Sequence, residues 1–207
     1  MPTVSEDDPR TLEGDAPARL VAACQGTMAV RDKALVLLAL ASGLRRKEIA
    51  ALRWRDVDLT LETGIGLVHV LAINSKTRRP RTAYLDPKAR DALALHRLTA
   101  PSDPGDPVFA GRIKDGKAQP ITTSGISHIV ARIGLRAGVE VSPHRFRHTC
   151  ARAMLAAGLT LPEVQRILGH SNMTTTARYL SALESQVDQS FSRIYGDQTN
   201  GRKKRAA

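Results

Sequence analysis

Aromatic side chains are scarce in this chain: Phe, Trp and Tyr make up 3% of its 207 residues, with a single Trp. A protein that holds unpaired nucleic acid by stacking needs a row of such rings, so that class is excluded. Cysteine is equally sparse. Cys24 and Cys150 stand alone, without C-x-x-C spacing, which excludes a disulfide framework and a cysteine zinc site. Acids do not gather either. Asp56 and Asp58 form a D-x-D with no cluster of carboxylates or histidines around it, so they read as capping groups of a loop, and no metal or other cofactor is expected. No uninterrupted apolar run reaches bilayer length, and the N-terminus (M-P-T-V-S-E-D-D-P-R) is acidic rather than signal-like. These features predict a cytoplasmic protein with no membrane partner.

What the chain does have is positive charge. Lys and Arg number 31 against 20 acidic residues, for a net charge of +11 and a pI near 10.3. A polyanion is the natural partner, with nucleic acid ahead of anionic membrane. Without stacking rings, double-stranded DNA gripped through its phosphates fits best. The length supports one sizeable core, and no break in composition or internal repeat calls for two large domains.

Helices are expected over 16–24, 30–42, 45–54, 86–98, 123–137, 142–157, 160–168 and 182–195. The second is apolar nearly all round and should lie at the centre. In 123–137, Ile126, Ile129, Val130, Ile133 and Leu135 should face mostly inward. Strands are expected over 65–73 and 81–85, with N-S-K-T-R-R-P (74–80) as the hairpin between them. The segments 99–107 and 115–120 read as loop and turn. The fold class is therefore mainly α with a small antiparallel β-sheet.

The stretch 142–180 carries the chemistry. Ser142 and Pro143 read as N-cap and first helical residue, with Phe146, Cys150, Ala153, Met154 and Ala157 as the buried stripe. His144, Arg147 and His148 fall on a neighbouring face near the helix N-terminus, a place that suits a phosphate. Thr160 and Glu163 form a capping box, Gly169 stops that helix, and His170 follows it. Tyr179 lies nine residues further on. Upstream, Arg45 and Glu48 share a helix face one turn apart. On its own such a pair reads as a surface ion pair.

In order and spacing, H-R-F-R-H-T (144–149), L-G-H-S (168–171) and the tyrosine nine residues after His170 resemble the C-terminal signature of the tyrosine recombinases, the phage integrase family. S-G-L-R-R-K-E (42–48) resembles that family's first-arginine box, and S-K-T (75–77) its lysine hairpin. The resemblance covers about residues 12–195. It implies an α+β catalytic-domain fold, with the catalytic domain at 11–196. Residues 1–10 read as a disordered tail and 197–207 as a flexible basic tail, and in a departure from the family the usual N-terminal core-binding domain is expected to be absent.

The resemblance also implies a site-specific recombinase that cuts and rejoins DNA through a 3′-phosphotyrosine, without metal or ATP. Tyr179 would be the nucleophile, Arg45 and Arg147 the phosphate clamp, His144 the proton acceptor, Lys76 the general acid and His170 a hydrogen-bond donor to the phosphate. Glu48 would support Arg45. Arg46, Arg78, Arg79, Arg81 and His148 would contact DNA. The partners implied are double-stranded DNA and further copies of the chain, a dimer per site and a tetramer in synapsis, joined through 182–195. Two other functions compete: a type IB topoisomerase-like enzyme, which would relax supercoils without synapsis, and a non-catalytic DNA-binding regulator, indifferent to Tyr179→Phe.

Overall fold

In the computed structural model the described residues are 11–60, 64–75 and 79–169. The chain divides into two units, 1–171 and 172–207, and every described residue belongs to the first.

Helix α1 (Ala16–Ala22) leads into α2 (Ala29–Ser42), which ends where Gly43 turns left-handed at φ 58°. The apolar run of α2 does what its composition requires. Ala34, Leu35, Val36, Leu38 and Ala39 are all buried, and the helix touches α1, α4, α6 and strand β3. Short helix α3 (Arg46–Ala51) and a 3-10 turn at Trp54–Asp56 lead to β1 (Val57–Asp58), then β2 (Gly66–Val70) and β3 (Arg81–Leu85). These three strands form one antiparallel sheet in the order β1-β2-β3, with Val68 opposite both Val57 and Ala83, and Val70 opposite Arg81. Alternation buries Val68, Val70, Ala83 and Leu85 on one face, against α2 and α4 (Pro87–Thr99).

The strand expected over 65–73 is shorter, because the chain leaves Val70 for a 3-10 turn at Ala72–Asn74. The turn expected over 115–120 is confined to Asp115 and Gly116, both at positive φ. Lys117–Pro120 is β5, paired antiparallel with β4 (Ala110–Lys114).

Helix α5 (Thr123–Ala137) has the expected bounds, set by Thr122, whose hydroxyl accepts the Gly125 N–H, and by left-handed Gly138. Leu135, expected inward, is 85% exposed, while its neighbours Ile133 and Gly134 are buried. Helix α6 (Pro143–Ala156) also turns a different face inward from the one expected. Phe146 and Cys150 are buried as the periodicity implies, but Ala153 and Ala157 are exposed. Arg147, His148 and Ala151 are buried in their place. The reason is polar: the Arg147 guanidinium has main-chain acceptors under the helix and turns that face toward them. Helix α7 (Leu161–Leu168) packs on α6 and β3.

Candidate active site

Arg45 is the N-cap of α3, in extended conformation, and Glu48 is its third helical residue. The acid reaches back and accepts the Arg45 backbone N–H at 2.7 Å, the local rule that starts many helices. The same carboxylate accepts from the Arg45 guanidinium (Nη1 to Oε1, 3.1 Å) and, as a fork, from Arg81 on β3 (Nη1 to Oε1, 2.9 Å; Nη2 to Oε2, 2.6 Å). Glu48 is 3% exposed, so this is a buried network rather than a surface pair. Burial raises its pKa. The hydrogen bonds and charge of Arg81, with the Arg45 amide, outweigh that and hold the carboxyl below its usual value.

Ser142 caps α6 by accepting the Arg145 N–H, with Pro143 at the first position. His144 is exposed in the first turn, its ring edge-on to His148 at 4.7 Å between centroids. One turn on, Arg147 points under the helix. Its Nη1 donates to Gly43 O and its Nη2 to Leu168 O, both at 2.6 Å.

The end of α7 is where these groups meet. The last carbonyls of a helix lack intrahelical partners and lie at the negative pole of its dipole. Here three successive carbonyls each receive a guanidinium. Ile167 O accepts from Arg81 Nε (3.0 Å), Leu168 O from Arg147 Nη2, and Gly169 O from Arg45 Nη2 (2.8 Å). Two glycines permit the approach. A Cβ on Gly43 would lie 2.6 Å from Leu168 Cδ2, and one on Gly169 would lie 2.9 Å from Arg81 Cδ. Three guanidiniums against one carboxylate leave the junction cationic, with two planar forks held at fixed positions by the main chain. Such an arrangement can neutralise an oxyanion on more than one oxygen.

Of the residues expected at the site, Arg45, Glu48 and Arg147 come together at this junction, and His144 sits on the first turn of α6. Lys76, Arg78, His170, Tyr179 and the segment 182–195 lie outside the described residues. Ser75, which precedes Lys76, is buried at the foot of the hairpin. Arg79 and Arg46 are exposed, as DNA contacts require, and Arg46 Nη1 donates to Ser127 Oγ at 2.6 Å. Arg81 and His148 do not fit that expectation. The Arg81 side chain is 7% exposed and committed to Glu48 and Ile167, and His148 lies on a buried face of α6. A strand or helix position gives no hint of which long cation has a buried acid across the fold.

Sequence reasoning also missed the carbonyls of Gly43 and Leu168, for which the glycines that end α2 and α7 were the available signal. It missed a groove of about 1170 Å³ whose lining includes Arg31, Lys47, Arg53, Arg55 and Arg112, with Asp56 the one carboxylate among its described residues. Basic side chains outnumber acidic ones along that groove. The D-x-D acids act as loop caps: Asp56 accepts the Arg53 N–H and Asp58 the N–H and hydroxyl of Thr60. Among the described residues no three His, Cys, Asp or Glu side chains gather at one point. Burial pushes the Cys150 thiol up to about 12 and that of Cys24 to about 11, so neither is a nucleophile.

The tyrosine recombinase XerC of Xanthomonas axonopodis pv. citri (strain 306) is 35% identical over 172 residues, covering 83% of this chain and 53% of that protein. A crystal structure of XerA recombinase shares the fold with a TM-score of 0.73 and 26% identity, over 90% of this chain and 65% of the other. The XerH site-specific recombinase, in a structure bound to its difH substrate, superposes with a TM-score of 0.66 at 21% identity, over 82% of this chain and 49% of the other. The chain thus spans about half the length of the curated relatives it matches. Its residues 10–186 match the profile of the phage integrase family over most of the sequence. With that match over most of its length, and with relatives of this kind, the chain belongs to the phage integrase family, the tyrosine recombinases.

Proposed function

We propose that this chain cuts and rejoins double-stranded DNA as a site-specific recombinase, through a tyrosine ester and without metal or ATP. One observation carries the reading: Arg45 and Arg147, far apart in sequence, rest on the adjacent carbonyls of Gly169 and Leu168, immediately before His170. Family membership and the basic groove support DNA as the substrate, and XerH is a relative in fold that was crystallised on its own DNA site.

The roles follow from side-chain chemistry. A phosphodiester gains charge on its two non-bridging oxygens in the transition state, and two planar, permanently charged guanidiniums can hold both. Tyr179 attacks phosphorus while His144 takes its proton, since a free tyrosine is only about one part in a thousand ionised at neutral pH. The 5′-oxygen leaves with a proton from Lys76, and His170 donates to the phosphate. The 3′-phosphotyrosine keeps the bond energy, so the 5′-hydroxyl of a second strand can reverse the step. Copies of the chain assemble as a dimer per site and a tetramer in synapsis, through 182–195.

Nicked suicide substrates bearing candidate sites test the reading. A covalent protein–DNA adduct should form with the wild type and vanish with Tyr179→Phe, while non-covalent binding stays within about twofold. An adduct that persists in that variant, or maps to Tyr195, would overturn the assignment.

A further inference from the structure

We propose that Arg81 is a positioning residue for DNA cleavage, acting through Arg45; the inference rests on the strand-transfer reading above. Arg81 was expected to touch DNA, but its side chain is 7% exposed and that of its partner Glu48 is 2% exposed. Depth alone does not decide this, since Arg147 is 3% exposed; the fork on Glu48 does, because it pairs the Arg81 charge with a carboxylate inside the fold.

Its position matters because Glu48 is shared. Oε1 receives the Nη1 groups of both Arg45 (3.1 Å) and Arg81 (2.9 Å), and Oε2 receives the Arg45 backbone N–H (2.7 Å) and Arg81 Nη2 (2.6 Å). Arg81 holds the fork and the shorter guanidinium bonds. Arg45 is left with a single side-chain bond to the acid, which keeps its Nη2 on Gly169 O. Without the Arg81 fork, Oε2 turns toward Arg45 and closes a two-toothed pair on it, drawing that guanidinium off Gly169. The third donor of Arg81 acts on the same geometry from the other side. Nε holds Ile167 O at 3.0 Å, and the stem lies against Gly169, where a Cβ would come within 2.9 Å of it. One guanidinium thereby fixes both the acid that orients Arg45 and the helix end on which Arg45 and Arg147 rest. A lysine keeps the charge but cannot direct bonds to two carboxylate oxygens and a carbonyl at once.

The test is a double-mutant cycle in the full chain, measuring single-turnover adduct formation on a nicked suicide substrate, with Tyr179→Phe as control and thermal melting as a check on folding. Arg81→Lys should slow adduct formation by about 10²-fold, the cost of misplacing a reacting group by about 1 Å, with DNA affinity unchanged within about threefold. In an Arg45→Lys background the same change should slow the reaction by less than about threefold more, because its effect passes through Arg45. Two outcomes refute the inference: wild-type cleavage by Arg81→Lys, or rate losses that multiply across the two sites, as general packing damage would give. Failure of the recombinase reading looks different, since wild type and Tyr179→Phe would then behave alike, and that outcome overturns the chemical role of Arg81 as well.

Discussion

Glu48→Gln keeps the shape of the side chain and removes its charge. Four N–H groups point at the two oxygens of Glu48, two to each. Whichever way the amide turns, its NH2 faces donors, so two hydrogen bonds are lost and Arg81 stays buried beside a neutral group. Removing one partner of a buried pair costs about 3–5 kcal/mol. Against a domain stability of about 5–15 kcal/mol that is a large fraction. For a unit of this size it corresponds to a fall in Tm of about 6–20 °C.

Trp54, the single tryptophan, is 2% exposed, with its indole N–H on Pro101 O at 3.0 Å, so its fluorescence reports unfolding directly. Urea titrations of the two proteins, followed at Trp54, give the difference. Acid adds a second axis. Because the folded Glu48 titrates below 4.5, its stabilisation is whole above that value and is lost as pH falls through the lower folded one. The gap between wild type and variant should therefore narrow on acidification below about 4.5. A loss under about 1 kcal/mol, or a gap that does not change with pH, would mean that Glu48 is solvated and the junction is not a buried network.

Gly43→Ala should destabilise by about 2–4 kcal/mol, combining left-handed strain at φ 58° with a Cβ 2.6 Å from Leu168, and a urea midpoint within error of wild type would contradict this packing. Cys24 and Cys150 should resist an aromatic disulfide reagent in the native state and react only as denaturant opens the fold; rapid native labelling of Cys150 would refute its burial. His96 is buried against Phe109 with Nε2 on Val108 O at 2.8 Å, and burial lowers its pKa, so its stabilising contribution is whole above about 6.5 and lost as pH falls below that. Urea midpoints between pH 7.5 and 5.5 should drop more for wild type than for His96→Gln, and equal slopes would show that His96 is not buried neutral.

Local chemistry made much of this fold legible. Proline, hydroxyl caps and terminal glycines set the ends of α2, α4, α5, α6 and α7 to within a residue or two, and β-branched alternation marked β2 and β3. The β4–β5 hairpin escaped because four of the five β4 residues are exposed and carry no alternation, although Asp115–Gly116 is a strong two-residue turn signal. At the site, motif resemblance singled out Arg45, Glu48 and Arg147, which the fold brings to one junction. What it could not supply was depth. Arg81 looks like any surface cation on a strand, and only Glu48, from a distant part of the chain, takes it inside; His148 is buried as well, against the ring of His144 on its own helix. Leu135 errs in the opposite direction, since helical period alone does not say how wide the covered stripe is.

The acceptors at the end of α7 are main-chain oxygens, and this sets what can change in that helix over evolutionary time. Its outward positions, Pro162, Glu163 and Arg166, are exposed and contribute no atom to the junction beyond the cap. Substitutions there leave the carbonyls of residues 167–169 where they are. Length is another matter. One residue inserted within 161–168 turns everything after it by about 100°, carrying three guanidinium acceptors around the helix axis together. In descendants of this chain, α7 is free to drift in composition and bound in register.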